Sequence, residues 1–368
     1  MMGLKLRDYT FVKMLVIIFL LSSLLNAQLL HRKEIKLPHI PNYETLKCDF
    51  HVHTVFSDGE VWPSTRVEEA WCQGLDVIAL TDHIEYNIHK DDLVRDLNRP
   101  FEIASKKAND LGIVLINGAE LTRDMPPGHL NALFLTDVNK LIFEGDDWHP
   151  EFDEAVKQNA FIFWNHPGWI RQAPDGIEKW YNEHTSLYEK GVLQGIEVVN
   201  GYEYYNLAHQ WALDKNLTMF GNSDTHSPVN MEYDYSNGEH RTMTIVFAKE
   251  KTLESIREAL EERRTVAYYK NILIGREECL RPLFDNSLII EKGQIKNNSD
   301  IQFELKLINR PEGVRAPKDL ILFADGITRP GLSTEKDKAV AENVTVKYEV
   351  TNLLIAPGKG LIVELPIK

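Results

Sequence analysis

The chain has 368 residues, of which 43% are hydrophobic and 26% charged, and its net charge is −14. That balance supports a sizeable buried core and room for more than one domain. It argues against a grip on duplex DNA, which needs clustered Lys and Arg. An anionic ligand would have to be met by metal ions that supply positive charge locally.

Lys5, Arg7 and Lys13 precede an apolar run over 14–25 that ends at Asn26-Ala27-Gln28. This reads as a secretory signal peptide, residues 1–27, with periplasmic or secreted localisation as the expectation. The run is short against the roughly 20 residues of a membrane-spanning helix, and the alternative is an uncleaved N-terminal anchor. No later segment is long and apolar enough to span, so the mature chain is expected to have no membrane span. The three cysteines, Cys48, Cys72 and Cys279, cannot form a fully paired framework and read as buried small hydrophobes.

Residues 28–45 read as an extended lead-in, and from 46 to 269 short apolar runs alternate with amphipathic stretches. Strands are expected over 47–52, 76–81, 113–117, 132–135, 161–164, 195–199 and 217–220. Helices are expected from a Ser64 cap through Cys72, over 91–108 with an interruption near Pro100, and over 152–159, 208–215 and 252–264. Such alternation predicts an α/β fold with a parallel sheet or barrel. From 270 to 368 the texture becomes β-like, with runs over 287–291, 301–307, 320–323, 341–349 and 360–365 separated by Gly, Pro, Asn and Asp. This predicts a small all-β, sandwich-like domain.

The chemistry concentrates in the first of these regions. In Asp49-Phe-His51-Val-His53-Thr-Val-Phe-Ser57-Asp58-Gly59, strand alternation turns His51 and His53 to the same face, which suits one metal ion. Asp58 follows on the loop and can add a carboxylate. Taken alone, two such histidines are as easily a core or surface pair. Thr81-Asp82-His83, Gly118-Ala119-Glu120, Asn165-His166-Pro167-Gly168 and Asp224-Thr-His226 end other strands, whereas His129 begins its run. In barrels of this kind the C-terminal strand ends carry the site. Each residue by itself is more often a hydrogen-bonding fixture, but so many titratable groups brought together without metal would be desolvated and unpaired. Arg123 and Arg171 are candidate phosphate contacts. Trp164, Trp169, Tyr202 and Tyr204 are candidate pocket walls, or simply packing. Asn200 and Tyr202 follow a strand toward the same mouth. Asp49, Asp82, Asn165 and Asn222 are candidates to orient ligands.

These motifs, Asp-x-His-x-His-Thr-x-x-Ser-Asp-Gly, Thr-Asp-His, Asn-His-Pro and Ser-Asp-Thr-His in this order, resemble the PHP (polymerase and histidinol phosphatase) superfamily over about residues 46–265. The resemblance implies a distorted (β/α)7 barrel with two or three divalent ions (Mn, Zn or Fe). It would put His51, His53 and Asp224 on one ion, His129 and His166 on a second, Glu120 between these two, and His83, His226 and Asp58 on a third. Asp58 is a departure, since some members have His there. Glu120, Asp224 and His226 are the expected catalytic residues. The amidohydrolase class also begins with His-x-His, but the Thr-Asp-His and Asn-His-Pro signatures fit it less well.

The expected activity is hydrolysis of a small anionic phosphate ester, and the export signal, the additional β domain and the stretch Arg123-Asp-Met-Pro-Pro-Gly-His129 further resemble exported phosphodiesterases of the superfamily. The alternatives are a phosphomonoesterase acting on sugar or nucleotide phosphates, and a non-catalytic metal-bearing protein that binds surfaces. Oligomeric state has no signal in the sequence.

Overall fold

The computed structural model describes residues 31–334 and 344–366, so the expected signal peptide lies outside the described residues. Seven strands ring the site: β1 (Glu44–Asp49), β2 (Val77–Leu80), β3 (Val114–Thr122), β4 (His129–Leu133), β5 (Phe161–Trp164), β6 (Leu193–Asn200) and β8 (Thr218–Asn222), with β7 (Glu203–Tyr204) a short arm on β6. β1–β2, β2–β3, β5–β6 and β6–β8 pair in parallel. β4 runs antiparallel to both β3 and β5. Beyond the strand ends the ring closes where Val52 bridges Thr225. There the His53 N–H donates to the Thr225 carbonyl at 3.2 Å and the Asp224 N–H to the His51 carbonyl at 3.0 Å.

The reversal of β4 departs from an all-parallel reading, and it explains His129. A strand that runs backwards begins at the mouth where its neighbours end, so His129 joins their C-terminal residues. A tight return from β3 leaves no room for a crossover helix, which only parallel neighbours require.

The helices α1 (Pro63–Cys72), α2 (Arg99–Leu111), α3 (His149–Lys157), α4 (Asn182–Glu189), α5 (Asn206–Asp214), α6 (Val229–Glu232), α7 (Leu253–Glu261) and α8 (Glu277–Ser287) complete the chain order. Ser64 does not cap α1: Trp62 holds the cap position and Pro63 opens the helix, where its missing N–H costs nothing. The expected helix over 91–108 starts only at Arg99, for the same reason at Pro100. Thr252 does cap α7, accepting from the Ser255 N–H at 3.2 Å.

Strands β9 (Met243–Ala248), β10 (Thr265–Tyr269) and β11 (Ile272–Gly275) had no counterpart in the sequence reading. β9 pairs antiparallel with β1, β10 with β9, and β11 with β10. The β-rich remainder contains β12 (Leu288–Glu291), β13 (Gln294–Asn297), β14 (Phe303–Asn309), β15 (Val314–Arg315), β16 (Asp319–Leu322), β17 (Ile327–Thr328), β18 (Ser333–Thr334), β19 (Thr345–Ala356) and β20 (Lys359–Pro366). β11 lies just past residue 269, yet one of its edges pairs with β10 and the other runs parallel to β19, through Leu273–Leu353 and Ile274–Leu354. Barrel strands and β-domain strands therefore share one 15-stranded sheet. One apolar core also runs through both regions, from Val67 and Ile78 to Phe284, Phe303, Tyr348 and Val363. Cys48 and Cys279 are buried and Cys72 half-buried, all as free thiols.

Candidate metal centre

Past the end of β1 the chain stays extended. Phe50 and Val52 are buried among apolar neighbours, while His51 and His53 face the mouth. The chain then folds back in a turn, with the Gly59 N–H donating to the Thr54 carbonyl at 3.0 Å. A Cβ at Gly59 would lie 2.8 Å from the His53 carbonyl carbon, so only glycine lets the turn approach closely enough to carry Asp58 over the cluster. Asp82 fixes this turn by accepting the Thr54 N–H, the Thr54 hydroxyl and the Ser57 hydroxyl, each at 2.7 Å. Asp49 joins the opposite side by accepting the Ser223 hydroxyl at 2.5 Å and the His51 N–H at 3.3 Å. The buried Arg66 donates to the carbonyls of His53, Thr225, His226 and Ser227 and thereby clamps the two ligand-bearing loops together.

The nine sequence-predicted ligands converge. His51 Nε2 and His53 Nε2 lie 3.1 Å apart. Asp224 Oδ1 is 3.1 and 3.0 Å from them. Glu120 Oε2 is 3.3 Å from each, and also 3.0 Å from His83 Nδ1. Its other oxygen, Oε1, is 3.0 Å from His129 Nδ1 and 3.5 Å from His166 Nε2. Asp58 Oδ1 lies 3.2 Å from His226 Nε2 and 3.5 Å from His83 Nε2. Three overlapping donor groups result: His51, His53 and Glu120; His83, Glu120 and His129; and His53, Asp58, His83 and His226.

These residues fit divalent ions. His51 Nδ1 donates to Glu197 at 2.9 Å, so the lone pair it has to offer an ion is on Nε2. That lone pair faces another imidazole nitrogen and two carboxylate oxygens. Asp58 Oδ1 and Asp224 Oδ1 are buried and receive no well-aligned hydrogen bond. Ligand atoms about 2.1 Å from one tetrahedral ion lie about 3.4 Å from one another, close to the spacings above. Two of the ligands also hold left-handed backbone, His166 with φ 28° and Asp224 with φ 53°. For a residue other than glycine that conformation costs on the order of 1–2 kcal/mol and persists where surroundings impose it.

Charge in the cluster follows the same logic. Burial opposes a proton on His51, but the carboxylates of Asp224, Glu120 and Glu197 raise its pKa well above the usual value. Burial also opposes charge on Glu120, yet the imidazoles of His83, His51 and His129 hold it well below its usual range. His226 is pushed up to about 9, with burial outweighed by Asp58 and Asp224. Burial lowers the pKa of His129, outweighing Glu120 with help from the neighbouring His166 and His83. The carboxylates thus draw positive charge strongly into the mouth.

The expected substrate contacts divide. Arg171 is exposed, its guanidinium 5.5 Å from the Trp169 ring centroid. Trp169 in turn packs 5.5 Å from the His129 ring and 5.1 Å from that of His166. Arg123 is engaged elsewhere, paired with Glu151 and 3.4 Å from Glu85. Asn200 donates to Glu197 and Asp224, at 2.9 and 3.2 Å. The Tyr202 hydroxyl donates to the Glu232 carbonyl and to Glu239. Trp164 is core, stacked 3.8 Å from His184, and the Tyr204 hydroxyl meets His209. Asn165 donates to Glu120 at 2.9 Å, and Asn222 orients Glu197. Sequence reasoning passed over Arg66 and Glu197. The signal for Glu197 was a carboxylate inside the apolar run Gly-Ile-Glu-Val-Val, where a buried charge needs a reason.

A distorted α/β barrel whose mouth gathers His, Asp and Glu lone pairs defines a class of metal-dependent hydrolases. The PHP domain family matches residues 49–260, and an Ig-like domain family matches residues 286–366. The crystal structure of a two-domain protein from Bacteroides vulgatus, described as containing a predicted PHP-like metal-dependent phosphoesterase, is similar with a TM-score of 0.87 and 48% identity, covering 91% of this chain and 99% of that one. The chain belongs to the PHP family of metal-dependent phosphoesterases. An uncharacterized protein of Methanocaldococcus jannaschii is 28% identical over 196 residues, 50% of this chain and 84% of that protein. A 5'-3' exoribonuclease of Haemophilus influenzae is 37% identical over 78 residues, 21% of this chain and 24% of that enzyme.

Proposed function

We propose that the protein is an exported phosphodiesterase that hydrolyses small phosphodiesters at the barrel mouth with two or three divalent ions. The observation that carries this reading is the convergence of imidazole nitrogens and carboxylate oxygens at ligand spacing in one mouth. Divalent ions held there would supply Lewis acidity toward phosphoryl oxygens and hydroxide at neutral pH. His51, His53 and Asp224 would hold one ion, His129 and His166 a second, and Glu120, with one oxygen toward each set, would bridge them. Asp58, His83 and His226 would hold a third. The buried apolar residues behind the cluster exclude water from its inner side.

Two features favour a diester. The rim beside His129 and His166 presents the Trp169 indole and the Arg171 guanidinium, which has no carboxylate partner among the described residues. Tyr86, half-exposed, lies 6.1 Å from the His83 ring on the other side. Aromatic faces with one cation suit an ester that carries a single negative charge and an organic group on each side. The local similarity to an enzyme named as an exoribonuclease, whose substrate class is a phosphodiester, points the same way. The apolar run over 14–25 after a basic start supports export.

The test strips the purified protein with chelator, restores Mn²⁺, Zn²⁺, Fe²⁺ or Co²⁺, and compares bis-nitrophenyl with mono-nitrophenyl phosphate alongside elemental analysis. Faster turnover of the diester is expected. A preference for the monoester would replace this reading with the phosphomonoesterase, and no turnover with any ion would leave a metal-bearing binding protein.

A further inference from the structure

Glu197 sits in the middle of β6 and is fully buried. Among the described residues no Lys or Arg pairs with it. Its two oxygens nevertheless take four hydrogen bonds, from residues on four segments of the ring. Oε1 accepts from His51 Nδ1 and from Asn222 Nδ2, both at 2.9 Å. Oε2 accepts from the His166 backbone N–H at 2.8 Å and from Asn200 Nδ2 at 2.9 Å. The same Asn200 amide reaches Asp224 Oδ2 at 3.2 Å.

We propose that Glu197 is a positioning residue that couples the first two ion sites. It keeps the proton of His51 on Nδ1, so Nε2 stays bare toward the cluster. It also holds His166 directly and Asp224 through Asn200, and these are the two ligands with left-handed backbone. One carboxylate therefore maintains a ligand tautomer and two strained ligand conformations, and its reach spans the His51–Asp224 set and the His166 set. The inference rests on the metal-centre reading given above. No ligand role is assigned to Glu197 itself, because both of its oxygens are committed to these four hydrogen bonds.

Glu197→Gln preserves shape but replaces one oxygen with an NH2 group, which faces two donors whichever way the amide turns. Metal-stripped wild type and variant would be titrated with Zn²⁺, and His-labelled protein would report the His51 tautomer by 15N NMR. Expected results are affinity weakened about 10–100-fold at both of the first two sites, and loss of the pure Nδ1–H signature. Glu197→Asp, which keeps charge but draws back one methylene, should fall between. Asn200→Ala is the second variant should Glu197→Gln fail to fold: it removes the Asp224 link and one of the four hydrogen bonds of Glu197 but leaves His51 and His166 held, and should weaken the first site only. Wild-type affinity at both sites with an unchanged tautomer would overturn the proposal, as would a variant whose metal-free stability falls while affinity per folded molecule is unchanged. If wild type itself takes up no ion, the metal-centre reading fails instead.

Discussion

The barrel mouth and the seam between the barrel and the β domain are both buried, and they are held in opposite ways. At the seam, Leu273, Leu353, Phe303 and Tyr348 are apolar side chains removed from water, and their backbones share one sheet. At the mouth, nine imidazoles and carboxylates crowd together, two of them on left-handed backbone. The seam is stable by itself through the hydrophobic effect. The mouth is a local liability that cations and a surrounding frame of Asp49, Asp82, Arg66 and Glu197 offset. Stability and chemistry thus occupy separate regions, although one sheet connects them.

The sharpest way to break that separation is Glu120→Gln. Removing the charge that belongs to two of the three donor groups should abolish both metal content and turnover, by more than Asp58→Asn does. Arg123→Ala should leave metal content at the wild-type level, since Arg123 is tied to Glu151 and not to Glu120. If Arg123→Ala strips the metal as well, the frame extends further than described. Elemental analysis beside diesterase rates on the three variants decides this.

Phe303→Ala probes the opposite region. Truncating a fully buried aromatic should cost about 3–5 kcal/mol of stability, read as a lower denaturation midpoint, with metal stoichiometry unchanged. Because core and sheet are shared, the chain should unfold in one transition; two transitions would show that the β domain is a detachable module. The smallest effect is expected from Arg171→Ala. It should raise KM for diesters severalfold with kcat little changed, since an exposed rim cation contributes to binding before and during reaction alike. A matching drop in kcat would instead place Arg171 against the transition state.

Much of the donor cluster was legible because strand alternation and strand ends place side chains by simple rules, and His51, His53, Glu120 and Asp224 converge as those rules expect. Four features were not legible. Apolar periodicity carries no direction, so the reversal of β4 was hidden and His129 looked misplaced. The pairing of Arg123 with Glu151, the reach of Asn200 to Asp224 and the contacts of Tyr202 depend on partners distant in sequence, which no local spacing reveals. β9, β10 and β11 went unread, and with them the continuity of the sheet across residue 269. Helix starts were misjudged where a proline, rather than a capping side chain, set the boundary at Pro63 and Pro100.

The closure of the ring between His53 and Thr225 has a consequence for the order of events in folding. Contacts there, such as Phe50 to Asn222 and Asp49 to Ser223, join residues 172 and 174 positions apart. Bringing such distant segments together is entropically slow, and the early strands must wait for the late ones to arrive. The full cluster is therefore assembled only when the barrel shuts. For a chain that crosses a membrane before it folds, the receiving compartment, more than the ligands themselves, would determine which element fills the mouth.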